Sequence, residues 1–487
     1  MTPQQHITLS LRAAVTGAAT GAVTGILTLW LAGSAGAAPG AQAPANAKAA
    51  AAALSTSELA AAWDAEHVSP PLPPLITHQE VVDHVTRIAQ ETPDLFSQEV
   101  IGQSLEGRAI HHVWFGTGKT HILLWSQMHG DEPTATAALF DLHAYVRAHR
   151  DSPAVRRMLD ALTIHVVPML NPDGAARFQR RNAQDIDINR DALRLQTPEG
   201  RVLKELRDRL NPALGFNLHN QSWRTSVGSH PPMPATVSLL AVAFDEARSD
   251  NAGRILAKKT SAVIRDAIEP LIPGQIGRYD DEFEVRAFGD NITKWGTPVV
   301  LIETGPAAGD DPDRTLIRTN FVALVTALDA LASGRVNAAD PKRYETLPFN
   351  ESKLLHTKIV NATILQGSGI APFIADIGIS GARVVRQTDG RRTLGWATRI
   401  DDVGDLRVLG ALTTIDATGL TLAPLFDEQA QPGADVTLPD WKTWKGPGVT
   451  IGQPANFLLL KPVAGKDGVY TVVRVIRLTE ADRRSPA

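Results

Sequence analysis

Apolar positions along this chain fall into two regimes. Between residue 77 and about residue 336, short continuous apolar runs alternate with stretches that are apolar at helical spacing. The runs Ala109–Phe115, His121–Gln127, Leu162–Leu170, Leu214–Leu218 and Pro298–Ile302 read as strands buried on both faces. Helical spacing marks Pro133–Arg150, Gly200–Leu210, Ala252–Ile268 and Arg314–Ala332, the last closed by Gly334. Two capping boxes, Ser55 with Glu58 and Thr77 with Glu80, open helices; the second places Val81, Val82, Val85, Ile88 and Ala89 on one face. This alternation predicts an α/β domain over residues 57–336, with a largely buried sheet flanked by helices.

Further along, over residues 350–480, the texture is that of a small all-β domain, a sandwich or barrel. Strand-like runs are Lys358–Leu365, Arg383–Arg386, Leu406–Ile415, Phe457–Leu460 and Tyr470–Ile476. Asp389-Gly390 and Asp467-Gly468 supply hairpin turns between such runs. At the other end, Arg12 precedes a long apolar, small-residue run from Ala13 to Leu31, followed by Ala35-Gly36-Ala37. That order predicts a secretory signal over residues 1–37, with a retained membrane anchor as the alternative. Residues 38–56, rich in Ala and Pro, read as a linker. No later apolar run reads as long enough to span a bilayer, so the mature chain is expected to be secreted or periplasmic, without a stable membrane span.

Composition narrows the chemistry. A length of 487 residues suits two folded domains, and a net charge of −4 gives no electrostatic case for a nucleic-acid partner. Cysteine is absent, so any metal site must use nitrogen and oxygen ligands. His129-Gly130-Asp131-Glu132 supplies an imidazole and a carboxylate just after an apolar strand, where ligands collect in α/β sheets. His219 ends the strand Leu214–Leu218 and is the best third ligand. His165, in mid-strand, reads as a packed sheet histidine. Together His129, Glu132 and His219 are expected to hold one zinc ion.

The segments around these residues resemble the zinc carboxypeptidases of the carboxypeptidase A type. The resemblance rests on Ile101-Gly102-Gln103-Ser104-Leu105-Glu106-Gly107-Arg108, Met128–Glu132 and Asn171-Pro172-Asp173-Gly174. It continues through Arg181-Asn182, Asp187-Ile188-Asn189-Arg190, Asn217-Leu218-His219 and Leu301-Ile302-Glu303-Thr304-Gly305, covering roughly residues 77–335. It implies a mixed sheet and hydrolysis of the C-terminal peptide bond by zinc-activated water, with Glu303 as general base. Arg181 would stabilise the oxyanion, with Arg180 as its surface neighbour. Asn189 and Arg190 would grip a peptide substrate by its free C-terminal carboxylate, and Tyr279 matches a mobile tyrosine that closes over it.

Two features depart from that pattern: Asn220-Gln221 after His219, and the segment Phe283–Trp295. Asp280, Asp281, Glu282 and Glu284 could face a cationic substrate group or form a solvated loop. Besides carboxypeptidase action, a zinc amidase acting on cell-wall peptides and a catalytically inactive binding module remain open. The second should have lost Glu303 or a metal ligand, and the sequence retains all four.

Overall fold

The computed structural model describes residues 53–478 apart from 229, 368, 441, 442 and 447. The expected signal of residues 1–37, and the 38–56 linker apart from its last four residues, therefore lie outside the described part. Both capping boxes form: Ser55 and Thr77 each accept from the backbone N–H three residues on, and Glu58 and Glu80 reach back to the cap.

Eight strands make the first sheet, in the order Phe96–Gln103, Ala109–Phe115, Leu162–Val167, Thr120–Ser126, Leu214–Asn220, Val299–Thr304, Val237–Ala241, Ile276–Arg278. The four strands in the middle of that order run parallel, while antiparallel pairs flank them, so the sheet is mixed. Its continuous apolar runs follow from burial on both faces. Ile122 and Leu124 enter one core, with helices His78–Glu91, Thr134–Ala148, Ala252–Ile268 and Pro312–Ser333. Leu123 and Trp125 enter the other, beneath helices Pro198–Leu210 and Phe288–Lys294. The expected strands belong to the centre of this sheet. Both edge strands lack a continuous apolar run: Phe96–Gln103 has mostly half-exposed positions, and Ile276–Arg278 is only three residues long.

One expectation needs correcting. Helix Pro312–Ser333, at 22 residues, is long and apolar enough to cross a membrane by length and composition. Here 78% of its most apolar window is buried inside the protein, so its apolarity serves the core.

The second sheet also has eight strands. Seven follow the order Arg391–Gly404, Phe373–Thr388, Leu354–Ile364, Thr421–Pro424, Asn456–Pro462, Val469–Arg477, Asp435–Thr437, and Gly410–Asp416 pairs with Leu354–Ile364 off that path. Asp389 and Gly390, both at positive φ (50° and 76°), form the tip of the long hairpin between the first two strands of that order. The described residues belong to one compact unit, with the two sheets joined by side-chain and backbone contacts. Arg224 pairs with Asp401 at 2.6 Å, and Arg383 binds Asp313 through both guanidinium nitrogens at 2.6 and 2.9 Å.

Candidate metal centre and cleft

Three parallel strands of the first sheet end at one edge and deliver the chemistry. The chain leaves Thr120–Ser126 through a sharp bend, with Gln127 at φ 47°, and places His129 and Glu132 before helix Thr134–Ala148. Leu214–Asn220 carries His219, and the neighbouring Val299–Thr304 sets Glu303 directly opposite it in register. At Gly130 the backbone passes so close to the 171–174 turn that a Cβ would lie 2.0 Å from the Gly174 carbonyl carbon. Only glycine fits there.

That turn is fixed from several sides. Asn171 accepts from Gly174 N–H at 2.9 Å and donates to the Met128 carbonyl at 3.3 Å. Buried Asp173 accepts from Ser104 Oγ at 2.7 Å and Arg108 at 2.5 Å. The Ser104–Arg108 and Asn171–Gly174 motifs thus act on each other, and through Gly130 they set the bend that aims His129.

His129 Nδ1 lies 2.8 Å from Glu132 Oε1, His219 Nδ1 2.7 Å from Glu132 Oε2, and the two Nδ1 atoms 3.1 Å apart. Ligands about 2.0–2.1 Å from a tetrahedral zinc ion are separated by roughly 3.3 Å, so the set fits one such ion. All three residues are buried. Burial opposes charge on His129, yet Glu132 and Asp187 push its pKa up to about 9. Burial likewise works against Glu132, but the two imidazoles hold it well below the usual carboxylate range. Burial lowers His219.

Glu303 faces this group, its Oε2 buried and without a hydrogen-bond partner. Burial first, and the Glu132 charge second, raise it to about 8. It lines a 220 Å³ cavity together with His129, Glu132, Arg180, Asn189, Arg190 and Tyr279. The Tyr279 phenol is pushed up to about 12, chiefly by Glu303 and then by burial. Asn189 spends its Oδ1 on the backbone N–H of Phe288 at 2.8 Å, and Arg190 lies 3.4 Å from Glu284.

The two adjacent arginines have different partners. Arg181 donates to the Asp185 carbonyl at 2.9 Å and points away from the metal ligands. Arg180 is the inward one: its Nε lies 3.0 Å from Asp187, and its Nη1 is 3.0 Å from His129 and 3.3 Å from Glu132. The reason is local. Buried Asn182 caps the turn to Ile186 and donates to Glu199 at 3.1 Å, so neighbouring side chains alternate and Arg181 is turned out.

Asp187 was seen in sequence only as part of a motif, yet its Oδ1 accepts from His129 Nε2 at 3.0 Å. Its spacing of two residues before Asn189 was the available signal. Of the acidic loop, Asp280, Glu282 and Glu284 line the cavity with Asp290, which burial raises to about 7, whereas Asp281 turns to Arg254 at 2.8 Å. His165 is buried in a chain of imidazoles, 3.0 Å from His112 and 2.8 Å from His121, away from the metal ligands.

Residues 81–234 match the family described as zinc carboxypeptidase. A carboxypeptidase 2 of Trichophyton tonsurans is 31% identical over 127 residues, covering 24% of this chain and 23% of that protein. Carboxypeptidase M of Mus musculus is 28% identical over 189 residues, covering 34% of this chain and 43% of its own. The chain thus spans less than half the length of these relatives. A metallo-carboxypeptidase structure from Burkholderia cenocepacia aligns at 18% identity and a TM-score of 0.43, covering 53% of this chain and 69% of that one.

Proposed function

We propose that this protein is an exported zinc metallocarboxypeptidase that removes the last residue of peptides, a reading supported by the match of residues 81–234 to the zinc carboxypeptidase family. The observation carrying the reading is one cavity lined by His129 and Glu132, which with buried His219 form the candidate metal set, and by Glu303, Asn189, Arg190 and Tyr279. One group of residues suits a metal and a water, and the other suits a carboxylate. Export rests on the pattern of residues 1–37.

Zinc held by His129, Glu132 and His219 would supply Lewis acidity and bring the pKa of water toward neutrality. Glu303, without a hydrogen-bond partner at Oε2, takes the proton from the attacking water and passes it to the leaving amine. Arg180 faces the carbonyl oxygen as it gains charge. Arg190, with the amide of Asn189, binds the terminal carboxylate of the substrate, and Tyr279 covers it.

The acidic lining from Asp280, Glu282, Glu284 and Asp290 favours one variation, a substrate with a cationic group near its C-terminus. Wall peptides containing a diamino acid meet that description, so a wall-peptide amidase is the second reading. The test is hydrolysis of matched peptides with free and amidated C-termini by the zinc-loaded protein, with a chelator control. Release of the last residue only from free C-termini supports the carboxypeptidase. Cleavage restricted to wall peptides supports the amidase, and inactivity on both sets counts against either.

A further inference from the structure

A second cavity adjoins the first. It measures 390 Å³ and shares Glu132, Arg180, Asn220, Gln221 and Ser222 with the 220 Å³ cavity, so the two meet at Glu132 and Arg180. Glu303, Asn189, Arg190 and Tyr279 line only the smaller one. A peptide whose last residue occupies that smaller cavity must therefore run its preceding residues into the larger one.

The far wall of the larger cavity comes from the other sheet: Gly381, Ala382 and Arg383 of the 373–404 hairpin, with Trp223 and Asp313 beside them. This wall is pinned at two places. Near its middle, the bidentate Arg383–Asp313 pair places the guanidinium 4.9 Å from the Trp223 ring and 5.5 Å from the Trp396 ring. Those two indoles meet edge to face at 4.9 Å. Near the hairpin tip, Arg392 donates to the carbonyls of Pro74, Ile76 and Ala175 at 3.2–3.4 Å. A Cβ at Gly381 would lie 3.1–3.2 Å from the rings of His356 and Trp396, so the strand is packed tightly from behind.

We propose that the 373–404 hairpin closes the amino side of the cleft and restricts the enzyme to short peptides, an inference that rests on the carboxypeptidase reading. A cavity of 390 Å³ lies in the range that holds a drug-sized ligand, roughly two or three residues. A longer chain meets the wall and must displace charge pairs that hold it.

The experiment uses peptides of two, four and ten residues ending in the same residue. It compares kcat/KM for the zinc-loaded wild type and for Ala382→Trp, an exposed position whose enlargement narrows the cavity without touching the Arg383 pair. Binding of the same peptides to zinc-loaded Glu303→Gln is followed by calorimetry. The expected result is a fall of about tenfold or more from four to ten residues. In Ala382→Trp a comparable loss is expected for the tetrapeptide, with the dipeptide unchanged. A flat length profile, or equal effects of Ala382→Trp on both short peptides, overturns the proposal. If no peptide is cleaved, the carboxypeptidase reading fails, and binding then decides: affinity falling with length supports the closed cleft, whereas length-independent or absent binding overturns it.

Discussion

Asp187 accepts a hydrogen bond from His129 Nε2 at 3.0 Å, which turns His129 Nδ1 toward Glu132 and His219. A carboxylate on the far nitrogen fixes both the tautomer and the ring orientation of a ligating imidazole. Replacing Asp187 with Ala is expected to weaken zinc binding by about 10- to 100-fold. Competition with a chromogenic chelator measures this, and unchanged affinity would remove Asp187 from the metal site.

Glu303→Gln keeps the size of the side chain and removes the base. Its kcat should fall by about 10²- to 10⁴-fold while one zinc per chain is retained. Elemental analysis alongside peptide hydrolysis checks the pair of outcomes, and near-normal activity would deny Glu303 its role.

The two adjacent arginines give a contrast within one protein. Arg180→Ala is expected to cost about 10²- to 10³-fold in kcat, as loss of an oxyanion donor does elsewhere. Arg181→Ala should leave kcat within about twofold, because its partner is the Asp185 carbonyl. Equal effects would sink the assignment.

Gly130→Ala puts a methyl group 2.0 Å from the backbone of Gly174. The 128–132 bend and the 171–174 turn must then separate, at a cost of about 1–3 kcal/mol or more. A lower thermal midpoint together with weaker zinc binding is the expected result, and an unchanged midpoint would show that the two segments give way freely.

His84 and His143 are buried together, 3.2 Å apart, and burial first of all lowers them to about 2 and about 3. The unfolded chain protonates both near pH 6.5 while the folded chain keeps them neutral, so the unfolded state binds more protons below that pH. Stability is therefore lost as pH falls from about 6.5, by about 1.4 kcal/mol per unit for each group. His143→Leu should lose less stability than wild type between pH 7 and 5.5, by roughly one proton's share. Urea unfolding at the two values makes the comparison, and parallel losses would contradict it.

The sequence by itself determined what local chemistry encodes. Continuous apolar runs located the central strands because both faces of that sheet are buried. Capping boxes located two helix starts, and His129, Glu132 and His219 stood out as candidates because each lies at or just past the end of such a run, whereas Glu303 entered only through the resemblance to the zinc carboxypeptidases. Tertiary structure alone decided which way Arg180 and Arg181 face, since that depends on Asn182 being buried against Glu199, 17 residues away. It decided that Asp187 supports His129 across 58 positions, and that a hairpin beginning at Phe373 walls a cleft opened by Glu132. Spacing in the chain reports side-chain direction only within one element. Contacts between distant elements are set by how whole sheets and helices pack, and no short motif records that.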